Sequence, residues 1–482
     1  MGKMLTRDRS FYKRFFGLMG FLVFQNLIVY SVNVADNIML GSYSQNALSG
    51  AAAVNQIQFV LQQITLGIGE GLVVLASQYW GQRKLSPIRK LILIALEIGI
   101  FLGMLLTVAV SIAPNQIMGI FTDDRQIVAQ GIQYLSIMRF TYVIFMITQV
   151  LLAALRSMEV VKIGFYISIT TLLINIGINY TLIYGNFGMP RLGIVGAAIG
   201  TLTARCIELL IILYFCFIKD KTFWKDKGSA KKGETFGKNG VWKKREMFAG
   251  NRPKFVFFAL RKPDRGLLKD YVKVSLPVIA AQTLFGISVG MQTVVLGHLT
   301  ADAIAANSVA TTLFQYLKII AIGAASATSI LIGKAVGEGN LSKIKEYSKT
   351  LQCIYVLIGL TISACLLLLK GPLLSLYALT PKALKLADQI LILLSITCIG
   401  TSYQMPTLGG IVRGGGDTKF ILKMDLISIW VIMYPLSFLA AFYWKLPTIA
   451  VVAFLNSDQV FKCIPAVMKV NKYNWIKKLT KT

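Results

Sequence analysis

The sequence is short of charge, and of acidic charge above all. Only 15% of its 482 residues are Asp, Glu, Lys or Arg, against about 25% in an ordinary soluble domain. It holds 21 acids, 50 Lys and Arg, and one histidine, His298. A single histidine excludes a histidine metal cluster and a paired-histidine catalytic site. The six cysteines (Cys206, Cys216, Cys353, Cys365, Cys398, Cys463) are scattered through apolar stretches and never form CxxC, so neither a disulfide framework nor a zinc site is indicated. No Walker A loop is present, which excludes ATP bound by this chain as the energy source. The basic N-terminus runs into a full-length apolar stretch without a small-residue cleavage site, and is read as a first membrane helix rather than a leader.

What is there instead is hydrocarbon. Hydrophobic residues make up 55% of the chain and the mean hydropathy is +0.65. About 20 apolar residues cross a bilayer as a helix, and twelve such runs are found, at 15–40, 56–79, 91–113, 127–150, 163–184, 193–218, 271–297, 303–334, 350–370, 386–411, 424–443 and 447–470. Forty of the Lys and Arg fall on the side that carries both termini and the loops after even-numbered runs, and six on the other. The excess predicts that both termini are cytoplasmic, and it turns the formal charge of +29 into a topology signal; no nucleic-acid partner is expected. The segment 219–269 carries sixteen Lys and Arg with five acids and reads as a solvated basic linker. The expected fold is an all-α polytopic membrane protein, with a six-helix lobe in 1–218, the linker in 219–269 and a second six-helix lobe in 270–482.

The halves are related. At a shift of 256, residues 38–90 match 294–346 with 11 identities in 53 pairs, among them Gly41/Gly297, Gly67/Gly323, Gly81/Gly337 and Ser86/Ser342; Arg156 pairs with Arg413 at a shift of 257. Six helices per repeat give both lobes the same orientation, so a pseudo-two-fold axis along the membrane normal is expected, with the substrate path between the lobes.

The motifs Asp36-Asn-Ile-Met-Leu-Gly41, Ser77-Gln-Tyr-Trp-Gly81, Gly193-Ile-Val-Gly-Ala-Ala198 and Arg413-Gly-Gly-Gly-Asp-Thr418, with the Trp430 to Pro435 spacing, resemble the MATE family, the multidrug and toxic compound extrusion transporters, over nearly the whole chain except 219–269. The resemblance implies a transporter rather than an enzyme. It implies an antiporter that expels amphiphilic, often cationic, organic compounds against inward H⁺ or Na⁺, without a cofactor, as a multi-pass protein of the plasma membrane; a monomer is the expected state. The alternative is a lipid-linked oligosaccharide flippase of a related fold, which calls for a more cationic cleft.

Ionisable groups at membrane depth are functional candidates by default. Asp36 lies in the outer part of the first run. Asn175 and Asn179, four apart, share one helix face, and Thr201 lies at a similar depth. A carboxylate deprived of water takes up a proton more readily, and the same oxygens suit a hard cation such as Na⁺. One MATE branch has a cation site at the positions matching Asp36, Asn175, Asn179 and Thr201, although it often has Asp where Asn179 stands and a first-helix proline where Phe21 stands. Glu70, within Gly67-Ile-Gly-Glu-Gly71, is a further coupling candidate or a structural hydrogen-bonding group. Arg205 and Glu208, three apart, are expected to neutralise each other. For the substrate cleft the facing helices supply Met39, Gln56 and Phe59 against Met291, Gln292, Phe314, Tyr403 and Gln404, since Met adapts to varied apolar ligands and aromatic faces attract cations. Gly414-Gly-Gly-Asp417 matches an intramembrane-protease string, but no second membrane carboxylate faces it.

Overall fold

The computed structural model describes residues 5–122, 124–219, 264–297, 300–375, 377 and 379–480. Residues 220–263 of the basic linker, and His298, lie outside the described residues. Long apolar segments form helices because a bilayer leaves every backbone N–H and C=O to be satisfied within its own segment. In chain order these are α1 (Arg9–Tyr43), α2 (Gln45–Gly81), α3 (Leu85–Ile112), α4 (Arg125–Met138), α5 (Thr141–Ser157), α6 (Lys162–Tyr184), α7 (Ile194–Tyr214), α8 (Arg265–Gly297), α9 (Ala301–Glu338), α10 (Leu341–Leu374), α11 (Pro381–Val412), α12 (Thr418–Tyr443) and α13 (Thr448–Asn471). Helices α4 and α5 are taken as one span bent by 51° at Arg139 and Phe140, which gives twelve spans among the described residues. The fourth run, expected as one helix over 127–150, is thus a broken one.

Within the first six spans α1 packs on α6, α2 on α3, α4 and α5, and α6 on α7; in the second six, α9 and α10 pack on α11. The two lobes meet where α1 and α2 face α8 and α9. Small residues set that approach. Gly67 and Gly71 lie one turn apart on the face of α2 turned to α8, and a Cβ on Gly67 would fall 2.5 Å from the Ile279 Cα. Gly81 packs against the Lys334 carbonyl while its repeat partner Gly337 packs against the Gln78 carbonyl, so the duplicated glycines serve reciprocally. The Tyr271 hydroxyl donates to the Ile68 carbonyl at 2.9 Å, Lys334 pairs with Glu159 at 2.7 Å, and Tyr30 meets Tyr316 edge-to-face at 4.9 Å. These contacts run from Gly81 and Gly337, near the end where the described chain begins and ends and called here the basic end, to Tyr30 and Tyr316.

Two proline positions adjust the second lobe. Pro406 lacks the N–H that would continue the helical ladder, and α11 widens into a π turn over Thr407–Val412. A π turn re-aims the residues after it, here Arg413. Around Pro435, α12 carries further π turns at Leu426–Met433 and Leu439–Tyr443.

The glycine contacts yield a stability prediction. Gly67→Ala should cost about 1–3 kcal/mol through overpacking, read as a lower Tm of the detergent-purified protein. Gly20→Ala, in α1 with nothing within 4 Å of its Cβ position, should leave Tm unchanged or raise it. Equal Tm values for Gly67→Ala and the parent would contradict the close packing of α2 on α8.

Candidate functional site

The first lobe gathers the predicted oxygen set. Asp36 comes from α1, Asn175 and Asn179 from one face of α6, and Thr201 from α7. The Asn179 Nδ2 donates to the Asp36 carboxylate at 2.6 Å and reaches Asn175 Oδ1 at 3.3 Å; Asn175 Nδ2 reaches the Thr201 hydroxyl at 3.4 Å. Both asparagines are buried and Asp36 is half-buried. Asn179 Oδ1 is buried without a hydrogen-bond partner. An unpaired buried acceptor costs about 1–3 kcal/mol, so the cluster has an oxygen to spare beside its carboxylate. One carboxylate, amide carbonyls and a hydroxyl form an oxygen-only set that fits a hard cation and not a thiophilic metal. Among the described residues no group of three or more His, Cys, Asp or Glu comes together.

Charge around Asp36 is managed at one remove. Arg205, one turn from Thr201 on α7, is held by Glu208 at 2.7 Å and lies over the Phe145 ring at 4.9 Å. Among the described residues no Lys or Arg nitrogen falls within 4 Å of the Asp36 carboxylate. A small pocket bordered by Val29, Ser168, Thr171, Asn175, Thr201 and Arg205 opens beside the cluster. Tyr134, buried on α4, lies next to Thr201; the sequence reading did not single it out, because a tyrosine within an apolar run has no distinguishing spacing.

Glu70 lies apart from this cluster. It is 3% exposed, with one carboxylate oxygen 3.0 Å from Arg413 and the other 3.8 Å from Arg156. The Arg413 contact is a charge contact without hydrogen-bond alignment, since that oxygen has no hydrogen-bond partner. The arginines that the duplication pairs therefore share one acid, and the acid joins the lobes. In this arrangement Glu70 is ion-paired to both arginines and lies outside the Asp36 cluster.

The cleft candidates separate. Phe59 is half-buried on α2 and faces Gly286 of α8, and Gln56 is exposed. Met39 and Gln292 are half-buried, and the Met39 carbonyl accepts from Tyr184 at 3.0 Å. Met291 packs within the second lobe against a cluster with Ile429 and Met433. Three candidates turn into the second lobe in the arrangement seen here. Phe314 is 7% exposed and packs with Leu366 and Leu394 inside the second lobe. Tyr403 and Gln404 are buried, donating to Gln352 at 2.8 Å and to Gln459 at 2.9 Å. A phenol or amide in a span takes the partners its own lobe offers, and these two find them on α10 and α13.

A matching of the amino-acid sequence to family profiles gives MatE, over residues 22–181 and 277–439. The chain belongs to the MATE family. Among curated relatives, a probable multidrug resistance protein NorM of Thermotoga maritima is 23% identical over 95% of this chain and 92% of its own length. The multidrug resistance protein MdtK of Pectobacterium atrosepticum is 25% identical over 85% and 83%. Among solved structures, a Vibrio cholerae MATE transporter, VcmN, matches with a TM-score of 0.82 at 15% identity over 98% of each chain. A Pyrococcus furiosus transporter of the MOP superfamily matches with 0.80 at 19% identity over 98% and 97%. The two-lobed, twelve-span fold of a MATE transporter is therefore shown for this chain, and the two curated relatives are described as a probable multidrug resistance protein and a multidrug resistance protein.

The second MATE lobe carries a different cluster at the same level of its sixth span. Lys462 is buried between Asp425 at 2.8 Å and Asp458 at 3.3 Å, and Gln459 donates to both Asp458 oxygens at 2.9 Å. Lys462 lies inside the run 447–470 and is one of the forty cations counted with the side that carries both termini. Lys318, on α9, lies over the Phe285 ring at 5.6 Å.

The shared acid between the lobes is testable by a double-mutant cycle. Glu70→Gln and Arg413→Gln should each destabilise by about 3–5 kcal/mol, since breaking a buried pair strands a charge. The double variant should lose less than the sum by about 0.5–3 kcal/mol, measured by denaturation of the detergent-solubilised protein. Strict additivity would contradict the pairing.

Proposed function

We propose that this MATE protein is a cation-coupled antiporter that exports amphiphilic, often cationic organic compounds from the cytoplasm, driven by inward H⁺ or Na⁺. The observation that carries the reading is the Asp36 cluster: a carboxylate at membrane depth, not salt-bridged, held by Asn179 and beside a spare buried oxygen. Taking up a proton or a Na⁺ neutralises that carboxylate. An ion drives a transporter only by binding one lobe arrangement better than the other, and moving a population from 1:99 to 99:1 takes about 5.5 kcal/mol of such preference. The site draws on α1, α6 and α7, so a change in its charge acts on how α1 sits against α6, and α1 is also a lobe-interface helix.

In this reading the chain is a multi-pass plasma-membrane protein with the basic end in the cytoplasm, in line with the forty-to-six charge asymmetry. Its units are 1–218 and 270–482, joined by the linker 219–269, and it acts as a monomer. The contacts at the basic end then make this the arrangement sealed toward the cytoplasm, with the substrate path between α1 and α2 on one side and α8 and α9 on the other. The flippase alternative has less support, because Arg205 and Lys462, two cations at membrane depth, are already paired with acids and are not free to bind a pyrophosphate.

Dye efflux from proteoliposomes under separately imposed pH and Na⁺ gradients tests the proposal. The parent should export under at least one gradient, and Asp36→Asn should export at least about tenfold more slowly, one decade being about 1.4 kcal/mol of lost coupling. Equal export by Asp36→Asn under both gradients would remove the coupling role. Lipid-linked sugar flipping without dye efflux would favour the flippase.

A further inference from the structure

After α13 the chain stops being a helix and crosses from one lobe to the other. Residues 472–480 turn at Tyr473, whose φ of 55° is left-handed, and run over the basic end. On the second lobe the strap is anchored three ways. The Lys477 backbone N–H donates to the Gly415 carbonyl at 2.8 Å. Lys477 and Lys469 hold Asp417 at 2.7 and 2.8 Å. The Trp475 ring, fully buried, packs against Gly415, where any Cβ would collide with it. On the first lobe the strap is gripped by Gln78 of α2 and by Gln82, the residue that caps its end. Gln78, itself 0% exposed, accepts from the Leu479 N–H at 2.9 Å and donates to the Lys477 carbonyl at 3.1 Å; Gln82 donates to the Thr480 hydroxyl. One amide thus reads the strap backbone from both sides, as a neighbouring strand does. The N-terminal segment makes the converse contact: the Thr6 N–H donates to Thr350 at 2.9 Å, the Tyr347 hydroxyl donates to Asp8 at 2.7 Å, and the Phe11 and Tyr347 rings lie 4.2 Å apart.

We propose that the C-terminal strap 472–480 is a releasable latch, anchored on the second lobe and gripped by Gln78 and Gln82 of the first, that holds the basic end of the transporter shut and must let go of α2 each time that end opens. The inference rests on the alternating-access reading above. Its bonds to α2 exist only while the lobes are together at this end, so they bias the population toward that arrangement. The anchorage on the second lobe is of another kind: it lies within one lobe and survives opening. Burial works against ionised Asp417, but the two lysines hold its carboxyl below the usual carboxylate range. That anchor therefore keeps its contribution above the ordinary carboxylate range and loses it only as the pH falls through the lowered value.

The test uses the full chain in lipid nanodiscs, with the native cysteines replaced and spin labels on Ser86→Cys and Ser342→Cys, which are exposed, repeat-related and on opposite lobes at the basic end. Pulsed dipolar spectroscopy reads the distance between them. Gln78→Ala/Gln82→Ala leaves the second-lobe anchorage intact and should raise the long-distance population about tenfold, as expected for the loss of two to three hydrogen bonds. In unlabelled protein, Gln82→Cys/Thr480→Cys bridged by a short bis-thiosulfonate linker should slow dye export at least about tenfold, with recovery on reduction. A parental distance ratio in the alanine variant, or undiminished export by the bridged protein, overturns the latch alone. A parent that shows one short distance with and without transported dye and ion gradients removes the alternating-access reading, and the latch with it.

Discussion

Inside a bilayer a polar group has no water to fall back on, and the whole arrangement follows from how each buried charge meets that condition. Three solutions coexist in this chain. Lys462 is satisfied completely, between two acids with an amide behind one of them. Glu70 is satisfied across the lobe boundary, by arginines from both repeats. Asp36 is satisfied only by neutral partners, with an acceptor left over beside it. The first is static, the second joins the lobes, and the third leaves a carboxylate whose partner a small cation can become.

The repeats explain why these solutions differ on so similar a scaffold. At a shift of 257, Arg205-Cys-Ile207 meets Lys462-Cys-Ile464, and Thr201 meets Asp458. Each lobe therefore carries a cation at the same place in its sixth span and neutralises it with its own acids: Glu208 in one, Asp425 and Asp458 in the other. On α1 and α8, at a shift of 256, Asp36 meets Gln292. Symmetric helices thus carry asymmetric chemistry, and Asp36 has no carboxylate counterpart at the matching position of the second lobe. The interface uses the same duplication differently, placing Gly81 and Gly337 so that each admits the other lobe's backbone.

Much of the fold was legible because hydropathy in a membrane protein reports span by span: all twelve runs correspond to helices, and the facing of α1 and α2 against α8 and α9 follows from the repeat. Helix ends were less legible. The run 350–370 extends to 341–374 because polar residues such as Lys343 and Glu346 continue the helix beyond the apolar stretch. The break in the fourth span has no proline to announce it. In the site, Asn175 and Asn179 were readable from their four-residue spacing, and Asp36 from its charge. The partners of Glu70 were not, since Arg156 and Arg413 stand at span ends where sequence suggests solvent, and only packing brings the Arg413 side chain to 11% exposure and that of Arg156 to 18%. The partners of Tyr403 and Gln404 were not legible either, because an amphiphilic side chain near a cleft and one turned into its own lobe have the same sequence pattern.

The claim on which the account turns is that Asp36 itself exchanges the coupling ion. Infrared difference spectroscopy of the carboxyl C=O stretch, recorded on the purified protein as pH and Na⁺ are stepped separately, tests it without transport. The account predicts a carboxyl band that responds to one or both ions in the parent and is missing in Asp36→Asn, with the remaining spectrum preserved. The same ion-dependent band in parent and variant would contradict it.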